Sequence, residues 1–297
     1  MKLKVCGHAK GFTGDSKTFG IFLKDKGLIP SWLTITQKDD FDYLYVYGRY
    51  DDLNHIDVDP NKIIVTDNEP TWSRNASCNW LKKKGFLLDP SDCRIITCPH
   101  ILKKHPIHYF MDTDFSDQKT KKCSMVVSAK KNVEKNPFYE KRVGLVHKIL
   151  ESDLQIDIYG KGWDDHNISD IRMKGFVEDK ADALVPYEYS IAVENCVEDR
   201  YITEKFHDCI LTDTKPIHCG WSHNIYHNLI YDKFDIDSPT VIDDLRAILN
   251  QPKRLQNTSY YPHLPVKFKS EKITYYIHFS PFYVLLRNTS MSYVKGK

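Results

Sequence analysis

Short runs of β-branched and aromatic residues recur along this chain of 297 residues, separated by polar or helical stretches. Parallel strands need a long crossover between them, so repeated strand, helix and strand units are typical of parallel sheets covered by helices. We therefore predict an α/β fold with doubly wound parallel sheets. The predicted strands are 3–6, 43–47, 63–66, 94–97, 125–128, 156–159, 190–193 and 215–218, and the predicted helices are 18–26, 77–85, 138–150 and 203–211.

A polar stretch at 112–122 interrupts this alternation, and a second series of strands begins directly after it. Chains of this length usually form two domains of roughly 100–200 residues each. We therefore predict a first Rossmann-like domain at 1–122, a second at 123–270, and a helical C-terminal segment at 271–297 that docks on the body. The two domains are expected to face each other across a cleft that holds the ligand.

The bulk charge excludes a strong general attraction to nucleic acid or anionic membranes, because 42 Lys and Arg against 40 Asp and Glu leave a formal net charge of +2. Residues 1–7 lack the apolar core of a signal peptide, and no stretch approaches the ~20 apolar residues of a membrane span. We therefore expect a cytoplasmic protein without stable membrane insertion. The eight cysteines show no CxxC spacing, so no zinc site of that type is predicted.

One predicted strand ends in Glu194-Asn195, and a helix begins after Thr203, a favourable N-cap residue. Ligands of parallel sheets bind where strands end and helices begin, because backbone amides and the helix dipole converge there. A cation in the first helical turn, here Lys205, is mildly unfavourable unless an anion lies nearby. The diphosphate of a nucleotide sugar is such an anion, with Glu204 and Asn195 placed to bind hydroxyl groups. An ordinary capped helix with a surface Glu-Lys pair explains the same spacing.

The segment 190–205 resembles the signature of glycosyltransferase family 10, the α1,3/α1,4-fucosyltransferases, in which a strand ending in Glu-Asn precedes Tyr-(Val/Ile)-Thr-Glu-Lys at this spacing. Two further segments are similar to motifs of that family, namely DIYGKG at 157–162 and TKPIHCG at 214–220. The resemblance covers about residues 123–250. It implies two Rossmann-like domains in the GT-B arrangement, with the donor held by the second domain. It also implies an inverting enzyme that uses GDP-fucose and requires no metal or other cofactor.

The resemblance also implies which residues bind the donor. Most of them match the signature position by position, whereas Arg142 is aligned with the family's diphosphate-binding arginine although the loop before it is not of the usual Ser-Asn type. A solvent-facing helix arginine is the alternative for that position. The implied donor-binding residues are Asn195, Tyr201, Glu204, Lys205, Arg142 and Glu194.

Inversion by single displacement requires one base on the acceptor side, and the resemblance implies a glutamate that follows a strand of the first domain. Glu69, which precedes Pro70, occupies the corresponding place after the predicted strand 63–66. Asp67, which precedes Asn68, is a rival, because the alignment can shift by two residues. An ordinary turn rich in Asp, Asn and Pro is the remaining interpretation.

The triplet Asp112-Thr113-Asp114 has the DxD pattern by which another glycosyltransferase fold holds a divalent metal ion. It lies at the predicted domain boundary and not after a strand of the nucleotide-binding half. We therefore interpret it as linker.

Three functions are consistent with these observations. The first is inverting transfer of a sugar, in the simplest case fucose from GDP-fucose, to a hydroxyl of a glycan acceptor. The second is a viral type of glycosyltransferase that modifies hydroxymethylated DNA bases with fucose or another sugar, its basic patches following the phosphate backbone. The third is a non-catalytic protein that binds nucleotide sugars or glycans. The patches contain Lys82, Lys83, Lys84, Lys103, Lys104, Lys119, Lys121 and Lys122.

Overall fold

The chain folds into α/β units with parallel sheets. Its computed structural model describes residues 2–8, 34–36, 38–48, 63–66, 101, 104–105, 109–110, 113–129, 137–197, 203–220 and 231–251. These residues fall into two compact units, and the second unit comprises Pro99–Lys104 and Tyr109–His263. The first unit contains a four-stranded sheet and the second a six-stranded sheet.

The sheet of the first unit is parallel throughout, in the order β2-β1-β3-β4. Leu3 and Leu44 of this sheet are completely buried. Three predicted strands are confirmed here with small shifts at their ends, whereas the predicted strand 94–97 and helices 18–26 and 77–85 lie outside the described residues. The strands are β1 (Lys2–His8), β2 (Thr34–Thr36), β3 (Tyr43–Gly48) and β4 (Ile63–Thr66).

The sheet of the second unit is also parallel and has the order β10-β9-β8-β5-β6-β7. Its strands are β5 (Lys121–Val126), β6 (Ile156–Tyr159), β7 (Met173–Gly175), β8 (Tyr187–Val193), β9 (Lys215–Cys219) and β10 (Asp232–Lys233). The helices are α1 (Pro137–Leu150), α2 (Glu204–Leu211) and α3 (Val241–Leu249), and none of the described helices is long and apolar enough to cross a membrane.

The side of the sheet on which the chain adds new strands changes between β5 and β8. From β5 the chain adds β6 and β7 on one side, and from β8 it adds β9 and β10 on the other. That is the order of the Rossmann fold, in which the crevice at the carboxyl ends of the two central strands binds ligands. The segments that follow β5 and β8 are therefore the ones that form a site.

Helices cover both faces of this second sheet. α1 and α3 belong to one apolar cluster with strand residues such as Ile156, Ile191 and Ile217. Phe206 of α2 instead contacts His218, with ring centroids 5.4 Å apart. Because successive strand residues point to opposite faces, His218 lies on the face opposite to Ile217. α1 and α2 thus approach the switch between β5 and β8 from opposite faces.

The limits predicted for the first strand of this sheet are wrong. β5 begins at Lys121 and not at residue 125, because its charged first residues lie at the exposed end of the strand and conceal the apolar pattern. Beyond Val126 the backbone continues the ladder, since the amides of Val127 and Ala129 donate to the carbonyls of Tyr159 (2.8 Å) and Lys161 (2.9 Å). The domain limits at 122 and 270 stay a prediction.

Two glycines hold this extension of β5 in place. Gly160 and Gly162 have positive φ angles of 147° and 84°. A Cβ atom on Gly160 would lie 1.8 Å from the carbonyl oxygen of Val127, and one on Gly162 would lie 2.1 Å from that of Ala129. Only glycine permits so close an approach of two backbones. The glycine turn therefore supports the chain segment that leaves β5 beside the switch.

Arg172 closes the C-terminal end of α1. Its guanidinium donates to the carbonyl oxygens of Ile149 (3.0 Å), Leu150 (2.5 Å), Ser152 (3.0 Å) and Leu154 (2.7 Å). The same group forms an ion pair with Asp170 at 2.8 Å and is only 11% exposed. A helix end leaves its last carbonyls without intrahelical partners, and this single side chain binds two of them and two more in the turn that follows.

We expect Arg172→Met to lower the free energy of unfolding by about 3 kcal/mol, because it leaves the carbonyls of Leu150 and Ser152 without this donor and the Asp170 carboxylate without its guanidinium partner. Chemical denaturation followed by circular dichroism measures this change. Arg246→Met is the matched control, since Arg246 pairs with the exposed Asp153 and Asp243, and such surface pairs contribute little. Equal effects of the two substitutions would contradict the capping role.

Asp213 follows α2 in a left-handed turn with φ 52°. Burial raises the pKa of its carboxyl to about 6, although the Lys119 ammonium opposes that shift. Because the pKa is higher in the folded than in the unfolded chain, the folded chain retains the proton more strongly. The resulting stability is complete below the ordinary pKa near 4 and is lost as the pH rises through about 6.

We expect Asp213→Asn to stabilise the protein by about 1 kcal/mol at pH 7.5 after allowance for partial solvent screening, and to have little effect near pH 4. Asparagine tolerates the left-handed conformation and cannot ionise. Unfolding free energies of both proteins measured between pH 4 and 8 test this. A gain that is independent of pH would show that the carboxyl charge is not its cause.

Candidate active site

The predicted strand and the predicted helix after it are confirmed at β8 and α2, and residues 198–202 between them lie outside the described residues. Glu194 and Asn195 follow the strand, and α2 begins at Glu204. Thr203 is its N-cap residue, because the threonine Oγ1 accepts a hydrogen bond from the backbone amide of Lys205 at 3.4 Å. These side chains stand beside β5, at the reversal of the strand order.

Arg142 of α1 reaches the end of β8. Its Nη1 donates to Oδ1 of Asn195 at 2.7 Å, and its guanidinium lies 5.2 Å from the ring centroid of Tyr139. The residue is 5% exposed. Of the two sequence interpretations, the solvent-facing helix arginine is therefore wrong, and Arg142 joins the segment after β5 to the segment after β8.

Glu194 lies at the centre of the site and is fully buried. Its Oε1 accepts from the Thr203 amide at 2.8 Å, and its Oε2 accepts from the Thr203 hydroxyl at 2.5 Å. The same Oε2 lies 3.3 Å from Nζ of Lys205, and Nε2 of His218 lies 3.7 Å from Oε1. The carboxylate thus ties the end of β8 to α2 and to β9.

Lys205 is held by three acceptors. Its Nζ donates to Oε2 of Glu194 (3.3 Å), to Oγ1 of Thr203 (2.9 Å) and to Oε1 of Glu204 (3.0 Å). An ammonium group has three N–H donors, so an anionic ligand that binds Lys205 would take the place of one of these acceptors. The side chain is 14% exposed. Lys205 is therefore fixed in the first turn of α2 and does not extend freely into solvent.

The opposite charges of this cluster favour each other's ionised forms. Burial raises the pKa of Glu194, but the Lys205 ammonium and His218 outweigh it, so the pKa lies below its ordinary value. Burial lowers the pKa of Lys205, and Arg142 lowers it further, but the carboxylates of Glu204 and Glu194 outweigh both and raise it. Glu194 is thus ionised and Lys205 protonated at neutral pH.

A second ion pair, between Lys180 and Asp208, holds α2 in place. Lys180 Nζ donates to Oδ2 of Asp208 at 2.6 Å, and the Asp208 side chain is 0% exposed. Phe206, Cys209 and Ile210, which the sequence places on the inward face of the helix, are 0%, 1% and 0% exposed. Sequence reasoning missed the ion pair, because Lys180 lies in a short polar turn without periodicity.

The structure thus brings together Arg142, Glu194, Asn195, Glu204 and Lys205, which are five of the residues implied by the resemblance. Tyr201 and the two candidate bases, Glu69 and Asp67, lie outside the described residues. Sequence analysis missed His218 as a member of the cluster. The alternation of side chains between the two faces of β9 turns His218 toward α2, and this pattern could have identified it.

The DxD triplet is described only in part, since Asp112 lies outside the described residues. Asp114 accepts a hydrogen bond from the Ser116 amide at 2.9 Å, as expected for a local turn. In the part of the chain that the structure describes, no group of three or more His, Cys, Asp or Glu side chains is arranged to hold a metal ion.

Several lysines of the basic patches are engaged with protein acceptors. Lys119 donates to the Thr212 carbonyl at 2.6 Å, and Lys122 pairs with Glu188 at 3.0 Å. Lys121 pairs with Asp157 at 3.4 Å, and Lys104 pairs with Glu178 at 2.7 Å. Lys82, Lys83, Lys84 and Lys103 lie outside the described residues.

Comparison with known protein families finds a match to the part of the chain that contains this site. Residues 116–258 match the family model described as "Glycosyltransferase family 10 (fucosyltransferase) C-term". The matched region contains β5 to β10 and every site residue described above. No curated protein sequence matches the chain.

Solved structures share a distant similarity with the chain. A crystal structure of an α1,3-fucosyltransferase with GDP has a TM-score of 0.42 and 14% identity, covering 96% of this chain and 88% of that one. A crystal structure of an α1,3-fucosyltransferase with GDP-fucose has a TM-score of 0.39 and 15% identity, covering 84% and 78%. The UDP-GlcNAc 2-epimerase of Methanocaldococcus jannaschii has a TM-score of 0.35 and 11% identity, covering 87% and 95%.

The family match and the signature residues agree on the same part of the chain. β8 ends in the Glu-Asn pair, Thr203 caps the helix that begins with Glu204-Lys205, and the glycine turn at 160–162 supports β5. Residues 116–258 therefore match the C-terminal model of glycosyltransferase family 10, and the chain that contains them is a fucosyltransferase-like glycosyltransferase.

Proposed function

We propose that this chain is an inverting fucosyltransferase that transfers fucose from GDP-fucose to a hydroxyl of a glycan acceptor. The observation that carries the proposal is the convergence of two cations, the buried Arg142 from α1 and the partly buried Lys205 from α2, at the switch between β5 and β8. Their charges are close enough for Arg142 to lower the pKa of Lys205. Two like charges held together in this way favour a dianionic or trianionic ligand such as a nucleoside diphosphate.

The same two cations fit the chemistry of the leaving group. In a single displacement, the acceptor oxygen forms a bond to the anomeric carbon while the bond from that carbon to the diphosphate oxygen breaks. The electron pair departs with GDP, and negative charge grows on the diphosphate. Arg142 and Lys205 are prearranged where this charge develops, which is how a transition state is stabilised electrostatically. The proposal needs no metal ion or other cofactor.

The remaining roles follow the family resemblance. We assign the ribose and sugar hydroxyls to Asn195, Glu204 and Tyr201. The proton of the acceptor hydroxyl passes to a carboxylate of the first unit, Glu69 in our assignment, with Asp67 as the rival. We also propose that the two units adopt the GT-B arrangement, in which donor and base face each other across a cleft.

A ligand screen tests the nucleotide. We expect GDP to raise the melting temperature of the protein more than UDP or CDP at the same concentration, because a ligand stabilises the state that binds it. Preference for another nucleotide would contradict GDP-fucose as donor. Lys122→Met, which removes a surface cation of the same unit, should retain the full GDP response.

A turnover assay then separates the three functions considered for the sequence. Release of GDP from GDP-fucose in the presence of an oligosaccharide, with a fucosylated product, supports the glycan acceptor. Product formed only with hydroxymethylated DNA supports the second function. Nucleotide binding without turnover of any donor would mean that the chain is a binding protein.

A further inference from the structure

The surroundings of Glu194 do not suit a residue that contacts the donor. The side chain is 0% exposed, and both of its oxygens receive hydrogen bonds from Thr203. On the other side the backbone of β9's end lies against it, since a Cβ atom on Gly220 would fall 2.3 Å from Cγ of Glu194. A donor hydroxyl would have to displace one of these partners to reach the carboxylate.

Glu194 instead contacts the elements on which the donor groups stand. It binds the N-cap residue of α2 through Thr203 and the cation of the first turn through Lys205. It also lies within ion-pair distance of His218 from β9. A buried carboxylate of this kind costs free energy unless its partners are fixed, so its contacts hold the geometry around it.

We propose that Glu194 is a positioning residue, which fixes the place and the charge of the Lys205 ammonium at the donor site without touching the donor. The inference rests on the proposed function, because it takes the ligand of Lys205 to be a diphosphate. It replaces the role implied by the resemblance, in which Glu194 binds the donor directly.

Because of the charges around Lys205, the proposal predicts a specific pH dependence of diphosphate binding. Arg142 of α1 faces it as a like charge, Glu204 and Glu194 face it as opposite charges, and His218 faces Glu194 from β9. In Glu194→Gln only Glu204 opposes burial and Arg142. The Lys205 ammonium then loses its proton at lower pH, and affinity for a diphosphate falls as the pH rises.

The experiment measures dissociation constants of GDP and of inorganic pyrophosphate by titration calorimetry at pH 7.5 and 9.0, for the full chain. Each value is compared with wild type at the same pH, which cancels the titration of the ligand. We expect Glu194→Gln to bind both ligands about 10-fold more weakly at pH 7.5, and we expect the loss to be larger at pH 9.0. Pyrophosphate has no hydroxyl groups, so an equal loss for both ligands excludes direct contact with ribose.

Glu188→Gln is the matched control, because Glu188 lies on the same strand and pairs with Lys122. It makes the same change of charge and should bind both ligands like wild type at both pH values. Glu194→Asp keeps the charge, so we expect a smaller loss, about 3-fold, that does not change with pH. If Glu194→Gln fails to fold, the comparison of GDP with pyrophosphate in Glu194→Asp is the test, and a loss for GDP alone would overturn the inference.

Three results would overturn the inference alone, and a fourth would overturn the proposed function with it. Unchanged binding in Glu194→Gln would show that the carboxylate has no role at the site. A loss in Glu194→Gln that is the same at both pH values would show a purely structural role. A loss for GDP without a loss for pyrophosphate, in either variant, would show direct contact with the nucleoside. If wild type binds neither ligand, the proposed function fails and this inference fails with it.

Discussion

Lys205→Met is expected to lower kcat/KM for transfer from GDP-fucose by about 10²- to 10³-fold, the loss typical for removal of one prearranged electrostatic group. Methionine approximates the length of the side chain but removes the charge that faces the departing diphosphate. Since the charge on the diphosphate grows in the transition state, we expect kcat to fall as well as donor affinity. Steady-state kinetics with GDP-fucose and an oligosaccharide acceptor measure both constants.

A loss of folding must be separated from this loss of catalysis, because Lys205→Met leaves the buried Glu194 without its ammonium partner. Removing one member of a buried pair typically costs about 3–5 kcal/mol. The double variant Glu194→Gln/Lys205→Met removes both charges, so it should unfold at a higher denaturant concentration than the single variant and remain inactive. Activity close to wild type in the double variant would show that Lys205 is not part of the donor site.

Alanine at Gly160 or Gly162 is expected to destabilise the protein by more than about 3 kcal/mol. In both variants the new Cβ atom meets a backbone carbonyl of the β5 extension, at 1.8 Å and 2.1 Å, and the positive φ angles add strain. Backbone cannot move aside as a flexible side chain can. Urea denaturation followed by circular dichroism gives the change in unfolding free energy.

Gly144→Ala is the matched control for these glycines. Gly144 lies inside α1, and a Cβ atom there meets nothing within 4 Å. Alanine is a better helix former than glycine by up to about 1 kcal/mol, so this variant should be more stable than wild type. A similar loss of stability in all three variants would show that the close backbone approach is not the cause.

The elements that carry the site were predictable because their signals are local. The apolar run before Glu194, the N-cap residue Thr203 and the apolar spacing of Phe206 and Ile210 identify β8 and α2 without tertiary information. β7 and β10 are too short for periodicity to reveal them. α3 is absent from our sequence analysis, although Val241, Leu245 and Ile248 have helical spacing.

The role of Glu194 was beyond sequence reasoning for a different reason. The signature shows that a carboxylate follows β8. Its burial depends on His218 of β9 and on Gly220, which directly follows β9. The contact between Arg142 and Asn195 likewise joins segments 53 residues apart. Local pattern therefore identified the residue types at the site, and only the packing of β8, β9 and α1 shows how these residues contact one another.

The pairing of β5 with β8 determines when the donor site appears during folding. β5 can pair with β6 early, but its contact with β8 joins residues as distant as Ser124 and Ser190, which are 66 positions apart. Such long-range parallel pairing is slow, because the intervening chain must be ordered first. Arg142 and Lys205 stand on opposite sides of this late contact. We therefore expect nucleotide binding to report completion of the six-stranded sheet, and a nucleotide supplied during refolding to stabilise only chains that have formed it.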